Sequence, residues 1–242
     1  MTTWPVNFIC MKQSRDIKKD DLLEGGLFRK CNTKTAGGGY DKFSEICLKR
    51  LGKEVSNQFV VQLNGCPLAC PYCYVTPGGV HRIPHYLDTD QLISSFKNSG
   101  QEVFHLMGGA PALYVRYWHK ILNKLPSNFV FHSDFILVEG RYKIDELSRL
   151  ERNNALYAVN IKGLSKREWR DNTGVDNFDT DDILRNIDVI LRSGINFYLT
   201  FTACDHESSE NILEPLFRRE FGDRLYDDSF DIKIIQYKAL EE

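Results

Sequence analysis

The sequence lacks any apolar run close to the roughly 18 residues that a membrane-spanning helix requires. It also lacks the apolar core of a signal peptide, because Pro5 and Asn7 interrupt the first residues of the chain. These two absences predict a cytoplasmic protein that has no membrane partner. Internal repeats and low-complexity segments are lacking as well. A chain of 242 residues, 42% of them hydrophobic, is therefore expected to form one large domain with a substantial core.

An excess of positive charge is lacking too. The 31 lysines and arginines are balanced by 33 aspartates and glutamates, which gives a formal net charge of −2 at pH 7. Nothing in this balance indicates binding to nucleic acid, although a local basic groove would not be visible in the sum. Nucleic acid is thus neither favoured nor excluded as a partner.

A disulfide framework is absent as well. The chain has seven cysteines, an odd number, and three of them, Cys66, Cys70 and Cys73, lie close together. Clustered thiols of this kind are typical of metal ligands in a reducing compartment. Three thiolates can hold three corners of a 4Fe–4S cluster and leave one iron open to an outside ligand. The C-x3-C-x2-C spacing therefore predicts chemistry at a cluster.

Two other metal sites could use the same thiols. Zinc could be bound by the three cysteines together with His81 or His85. Zinc sites usually pair their thiols in two C-x2-C knuckles, however, and no second knuckle occurs in the sequence. A cluster that only transfers electrons would need a fourth protein ligand close by, and none follows at the short spacing typical of bacterial ferredoxins. A non-catalytic interaction module that carries zinc or an iron–sulfur cluster remains the alternative to an enzyme.

From residue 58 onward, short strand-like runs alternate with helical ones, a pattern typical of a parallel α/β sheet. We predict strands at residues 58–63, 103–107, 128–135, 156–161, 195–203 and 231–237, with helices near 89–98, 112–124, 143–152, 180–193 and 208–219. Asp88 and Asp179 are expected to cap helices, and Gly194 is expected to end one. Periodicity alone permits either a partial barrel or an open doubly wound sheet.

Residues 1–57 lack the alternating strand and helix pattern of the rest of the chain. They are assigned as an N-terminal extension to a domain over residues 58–242. They contain charged runs and the glycines 37–39, which we expect to form a flexible turn. The separated Cys10, Cys31 and Cys47 also lie here and are expected to be scattered buried thiols.

Alternation along the strands predicts which side chains face inward. Phe197, Leu199 and Phe201 share one face of their strand, while Thr200 and Thr202 share the other. The same split places further polar residues on one side of the sheet, namely Gln62, Asn64, His132, Asp134, Asn160, Lys162, Gln236 and Lys238. In a partial barrel, helices would cover the outside, and this small or polar face would line the lumen and hold a polar ligand.

The cysteine spacing, with Tyr72 directly before the last cysteine, resembles the radical S-adenosylmethionine (SAM) superfamily. The resemblance implies a partial (β/α)6 barrel of the radical SAM type, in which SAM chelates the free iron of one 4Fe–4S cluster. It also implies an external electron donor such as flavodoxin or ferredoxin. The implied reaction is reductive cleavage of SAM to a 5'-deoxyadenosyl radical, which abstracts hydrogen from a substrate. Tyr72 would contribute a backbone contact to adenine.

A second match follows the second predicted strand, where Met107-Gly108-Gly109-Ala110-Pro111 resembles the Gly-Gly-Glu-Pro motif of the same superfamily. The resemblance implies that the backbone of Gly108, Gly109 and Ala110 binds the SAM amino group, since glycine allows the main chain to come close. Ala110 replaces the usual glutamate, so the carboxylate contact is lost while the backbone contacts can persist.

A third match lies in Asn160-Ile161-Lys162-Gly163 and the later Thr173-Gly174. These segments resemble the Asp-Leu-Lys and Thr-Gly segments of the glycyl-radical-enzyme activases, of which pyruvate formate-lyase activating enzyme is the type member. The resemblance implies that Lys162 binds the SAM carboxylate, through a charge-assisted bond worth about 1.5–3 kcal/mol. It adds Asn160, Asp134 and Thr200 to the SAM shell.

This third resemblance favours hydrogen abstraction from a protein or peptide; radical modification of a nucleoside or small metabolite is the alternative. The chain departs from the activases in three respects. Tyr74 follows the third cluster cysteine, where the activases commonly have histidine. Their glycine-rich signature upstream of the first cluster cysteine is absent. Asn160 replaces one aspartate of their cation site, and His132 lies near the position of its other carboxylate, so a cation site of that kind is not expected here.

Overall fold

The architecture is a six-stranded parallel sheet in a computed structural model. The structure describes residues 39–62, 66–71, 89–107, 110–137, 142–176, 178–203, 206–225 and 232–236. The strands are β1 (Gln58–Gln62), β2 (Val103–Met107), β3 (Val130–Ile136), β4 (Ala155–Ile161), β5 (Phe197–Ala203) and β6 (Ile232–Gln236). All six were predicted, with boundaries that differ by one to two residues at most ends.

The helices are α1 (Gly39–Leu51), α2 (Thr89–Ser99), α3 (Val115–Leu122), α4 (Ile144–Ser148), α5 (Lys166–Thr173), α6 (Thr180–Arg192) and α7 (His206–Phe221). One 3-10 turn, Pro111–Tyr114, leads into α3, and another, Gly222–Leu225, follows α7. None of these helices is long and apolar enough to cross a membrane. The helices α1 and α5 were not predicted from the sequence, and α4 is shorter than expected.

The strands follow one another in the sheet in the order β1-β2-β3-β4-β5-β6, and each neighbouring pair is parallel. A doubly wound sheet would reverse this order around a switch point. A consecutive order places every crossover on one face of the sheet, which bends it towards a barrel. Within the described residues β1 and β6 form the two edges, so the sheet is an unclosed, partial barrel. The predicted α/β fold class is confirmed.

The main core lies between the helices and the outer face of the sheet. It contains large rings that are fully buried, and Trp118 of α3 stacks on Tyr157 of β4 with their ring centroids 5.9 Å apart. Phe131 and Phe135 of β3 lie against the same tryptophan. Burying such rings removes much apolar surface from water, so this layer fixes the sheet to the helices that surround it.

The inner face is divided into two layers. Towards the amino ends of the strands it is apolar, with Val103, Val130, Leu156, Ala158 and Tyr198 packed against Phe43, Ile46 and Cys47 of α1. Most polar residues of this face lie in the middle or towards the carboxyl ends of the strands, and Gln58, at the start of β1, is an exception. The prediction of a small or polar face along each strand is therefore wrong for the lower layer, because α1 supplies an apolar cover there.

Two predictions from the sequence concern residues of α1: the turn at the glycines 37–39 is wrong at Gly39, and the burial of Cys47 is confirmed. Gly39, expected in a flexible turn, is the first residue of α1, while Gly37 and Gly38 lie outside the described residues. Cys47 is buried as expected, and burial raises the pKa of its thiol to about 12. A thiol with this pKa stays protonated at neutral pH and serves as packing. Cys10 and Cys31 lie outside the described residues.

Local signals in the sequence position the helix ends. The Asp179 side chain accepts hydrogen bonds from the backbone N–H groups of Asp181 and Asp182 at the start of α6. Gly194 adopts a φ of +80° directly after the last turn of the same helix, as predicted. The other predicted cap, Asp88, lies outside the described residues.

Candidate active site at the carboxyl ends of the strands

The cysteine loop, residues 66–71, follows β1 and has no regular secondary structure. Cys66 and Cys70 are half-buried, and neither forms a disulfide. Cys73 and Tyr72 lie outside the described residues, as do Gly108 and Gly109. Two accessible thiols in one irregular loop are the donor type that an iron–sulfur cluster requires, so the described part of the loop fits a cluster.

The cysteine loop is held by the end of α5. The backbone N–H of Ala69 donates a hydrogen bond to the carbonyl oxygen of Thr173 at 2.7 Å. Gly174, the next residue, has a φ of +69°, and a Cβ atom there would lie 2.7 Å from the Ala69 carbonyl oxygen. A side chain at position 174 would push the loop away, so glycine is required by the backbone conformation and by the close approach. The sequence flagged Thr173-Gly174 by resemblance, and the structure shows what it contacts.

Asn172, which precedes Thr173 and Gly174, forms hydrogen bonds to two strand ends. The Asn172 side-chain nitrogen donates to the carbonyl oxygens of Lys162, at 2.6 Å, and Thr202, at 3.0 Å. These residues lie at the carboxyl ends of β4 and β5. Residues 172–174 therefore connect the cysteine loop directly to the strand end that carries Lys162.

Lys162 follows the last residue of β4 and is buried, with a relative exposure of only 8%. A lysine ammonium in this position needs anionic or polar groups around it, because burial without them is strongly unfavourable. The position suits an anionic ligand group such as a carboxylate.

Three other predicted residues share the inner face on neighbouring strands. Asn160 of β4 is the register partner of Thr200 of β5, and the Thr200 hydroxyl donates to the Asn160 side-chain oxygen. Asp134 of β3 pairs with Ala158, two residues before Asn160, and is half-buried. The structure thus brings Asp134, Asn160 and Thr200 to one region of the face.

Ala110 is fully buried just after β2. Its carbonyl oxygen already accepts a hydrogen bond from the Leu113 N–H at 3.1 Å, in the turn that leads to α3. A carbonyl oxygen has a second lone pair, so this bond leaves acceptor capacity for a ligand amine.

A histidine that the sequence analysis did not single out lies on the inner face, further from the carboxyl ends of the strands than Lys162. His105 of β2 is the register partner of His132 of β3, and both are buried. Burial lowers the pKa of His105 to about 3, so its imidazole is neutral at physiological pH. Burial, with the nearby Asp134 and Cys47, raises the pKa of Tyr198 well above its usual value. Strand alternation could have identified His105, since Val103, His105 and Met107 share one face.

The chain was compared with known protein families and with solved structures. The family model described as the radical SAM superfamily matches residues 60–214. No curated protein matches the chain significantly in sequence. The fold resembles that of hexahistidine-tagged anSMEcpe with bound AdoMet, with a TM-score of 0.52 and 16% identity over 74% of this chain and 48% of that one. Another anSMEcpe structure, with bound AdoMet and the Kp18Cys peptide, gives a TM-score of 0.51 and 16% identity over 74% and 49% of the two chains.

A third similar structure is that of Streptococcus suis SuiB bound to the precursor peptide SuiA. Its TM-score is 0.54, with 14% identity over 84% of this chain and 46% of SuiB. The chain thus spans about half the length of the proteins that these structures contain. At such identities the likeness establishes a shared fold.

Proposed function

Because this chain belongs to the radical SAM superfamily, we propose that it is an enzyme that abstracts hydrogen from a protein or peptide substrate. The family assignment confirms three predictions from the sequence: that the protein is a radical SAM enzyme, that it uses a 4Fe–4S cluster, and that it uses SAM. The substrate and the roles of individual residues are part of the proposal.

Cys66, Cys70 and Cys73 would hold the cluster, and the hydrogen bond from Ala69 to Thr173 fixes the loop that carries the first two. When bound, the cluster and SAM supply the 5'-deoxyadenosyl radical. The protein's part is to orient the ligands and to exclude water. The apolar cover that α1 forms over the lower inner face serves the second purpose.

The proposed SAM contacts lie nearer to the carboxyl ends of the strands than that apolar cover. Lys162 would bind the SAM carboxylate, and the backbone of residues 108–110 would bind the amino group. Tyr72 would contact adenine through its backbone. Asp134, Asn160 and Thr200 complete the shell on the inner face. The observation that carries this arrangement is the connection through residues 172–174, which joins the cysteine loop to the Lys162 strand end.

The choice of a protein or peptide substrate is supported by the local resemblance at residues 160–163 and 173–174 to the glycyl-radical-enzyme activases. Two of the proteins that share the fold carry a peptide in their structures, so the fold is compatible with such a substrate. An external donor such as flavodoxin or ferredoxin would deliver the electron that the reaction consumes.

Lys162→Ala should leave the cluster in place and weaken SAM binding by roughly tenfold to a hundredfold, as expected when a charge-assisted bond of about 1.5–3 kcal/mol is lost. Equilibrium dialysis of SAM with cluster-loaded protein under anaerobic conditions measures this. Lys166→Ala, which removes an exposed lysine at the start of α5, is the matched control and should bind SAM as the wild type does. A smaller loss in Lys162→Gln would identify packing rather than charge as the cause. Unchanged affinity in Lys162→Ala would place the residue outside the SAM site.

The substrate class can be tested by incubating the reduced, SAM-bound protein with candidate partner proteins and peptides. An activase would leave a persistent glycyl radical on the partner, visible by electron paramagnetic resonance, with one deoxyadenosine formed per radical. A peptide-modifying enzyme would leave a closed-shell product with a changed mass. Multiple turnovers on a nucleoside or a small metabolite, with no reaction on proteins or peptides, would refute the proposed substrate class and leave the family assignment intact.

A further inference from the structure

A group of metal-ligating side chains lies on the inner face next to the proposed SAM contacts and shares Asp134 with them. One ring nitrogen from each of His105 and His132 and one carboxylate oxygen of Asp134 all lie within 4.8 Å of one another. The two histidines are register partners on β2 and β3, and Asp134 follows two residues after His132 on the same face. Two adjacent strands of a rigid sheet therefore place three donor atoms around one point.

Neighbouring side chains orient both imidazoles. His105 Nδ1 and Gln58 Oε1 are 2.8 Å apart, and since that oxygen can only accept, Nδ1 carries the proton and Nε2 keeps its lone pair. His105 Nε2 is buried and has no hydrogen-bond partner among the described residues. His132 Nε2 lies 3.0 Å from the Tyr198 hydroxyl, so Nδ1 is the nitrogen of that ring that would bind a metal ion.

This arrangement has the outer contacts that metal-bound histidines usually have. A ligating imidazole typically donates its other N–H to an oxygen, which fixes the tautomer and the ring orientation. Gln58 accepts this hydrogen bond from His105, and the Tyr198 oxygen can accept from His132. The Phe43 ring lies against His132 with centroids 4.3 Å apart, and so covers the pair on the side of α1. An unsatisfied buried nitrogen such as His105 Nε2 is unfavourable, and a bound ion would satisfy it.

We propose that His105, His132 and Asp134 form a binding site for one divalent transition-metal ion of the zinc(II) class. Two neutral imidazoles and one carboxylate are a donor set that suits zinc and neighbouring first-row ions, whereas magnesium and calcium prefer oxygen ligands throughout. Three protein ligands leave a fourth position open to water or another ligand. Zinc–nitrogen bonds of about 2.0–2.1 Å place two nitrogen donors at most about 4.2 Å apart, so a bound ion would hold the donor atoms closer together than the 4.8 Å that encloses them here.

The proposed ion is separate from the iron–sulfur cluster, because none of its ligands is a cysteine. It also differs from the oxygen-rich cation site expected of the activases, for which this chain lacks the aspartate at Asn160. With the ion bound, the Asp134 carboxylate serves the metal, and any contact of this residue with SAM is indirect.

The test uses the full-length chain with Cys66, Cys70 and Cys73 all replaced by alanine, so that the cluster thiols cannot bind the probe. Cobalt(II) titrated into this protein should give visible absorption bands that saturate at one ion per chain, and zinc(II) should displace it. Adding His105→Gln or Asp134→Asn should weaken binding at least about tenfold, the smallest effect typical even of outer contacts in metal sites. Adding His119→Gln, on α3, should change nothing.

If the three alanines prevent folding, the zinc content of cluster-loaded wild-type protein replaces the titration. One zinc per chain in the wild type and in His119→Gln, and none in His105→Gln, supports the site. The absence of cobalt binding in a folded protein, or binding that His105→Gln leaves unchanged, would overturn the proposed site. Neither result depends on SAM cleavage, so failure here is distinguishable from failure of the proposed function.

Discussion

Replacing Cys70 with alanine should abolish cluster binding, reducing the iron content from about four per chain to near zero after anaerobic reconstitution. Two thiolates cannot hold three corners of a 4Fe–4S cluster, so the loss should be nearly complete rather than graded. Cys70 is half-buried in an irregular loop, where removing its sulfur disturbs little packing. The variant should therefore remain folded. Iron analysis and the visible absorption of the cluster measure the effect, and Cys66→Ala and Cys73→Ala should behave alike.

Cys47→Ala is the matched control. Its thiol is carried by α1 and is fully buried against apolar residues of the lower inner face, and its raised pKa keeps it protonated. The control should keep its full iron content and lose only modest stability through the smaller side chain. Stoichiometric zinc and no iron in reconstituted wild-type protein would contradict the cluster assignment, and so would full iron content in Cys70→Ala.

Gly174→Ala should displace the cysteine loop and sharply reduce cluster occupancy. The added Cβ would lie 2.7 Å from the Ala69 carbonyl oxygen, a backbone atom that cannot swing aside. Relieving that overlap should cost about 1–3 kcal/mol, beyond the cost of the left-handed conformation itself. Since each 1.4 kcal/mol is about a tenfold change in an equilibrium, the loop should leave its docked position in a large fraction of molecules. Iron per chain and urea unfolding measure the two consequences.

Gly100→Ala separates the effect of the close contact with Ala69 from the effect of the left-handed backbone conformation. Gly100 follows α2 with a φ of +72°, nearly that of Gly174, yet an added Cβ there meets nothing within 4 Å. This control carries the conformational cost alone, about 1–2 kcal/mol, and should bind a full cluster. Equal iron content in the two variants would show that the approach of Gly174 to Ala69 does not hold the loop.

The sheet could be predicted from the sequence because its strands are short apolar runs separated by helical stretches, each recognisable from residues close in sequence. The helix α5 could not. Trp169 is its one large buried apolar residue, and the helix depends instead on its Ser165 cap and on Asn172, which bonds to two strand ends. The helix α1 was missed because its first residue is a glycine that follows two others, and because its partners lie on strands far along the chain.

The residues of the candidate site were likewise predicted where their partners are close in sequence and missed where their partners are distant. The three thiols were predicted from their spacing, since the ligands of one cluster lie within a few residues of each other. His105 was missed because its partners are distant in sequence: Gln58 is 47 positions earlier, and His132 is its register partner on the following strand. Thr173 and Gly174 were marked only by resemblance, because their hydrogen bond and close contact with Ala69 join segments about a hundred residues apart.

The formation of 5'-deoxyadenosine tests the central claim most directly. Wild-type protein, reconstituted with iron and sulfide under anaerobic conditions, is mixed with SAM and dithionite, and the products are separated by chromatography. We expect deoxyadenosine and methionine in equal amounts, formed only when the reductant is present, and none from Cys70→Ala. A folded, iron-loaded protein that binds SAM but forms no deoxyadenosine, with or without protein and peptide substrates, would contradict the assignment of radical SAM chemistry to this chain.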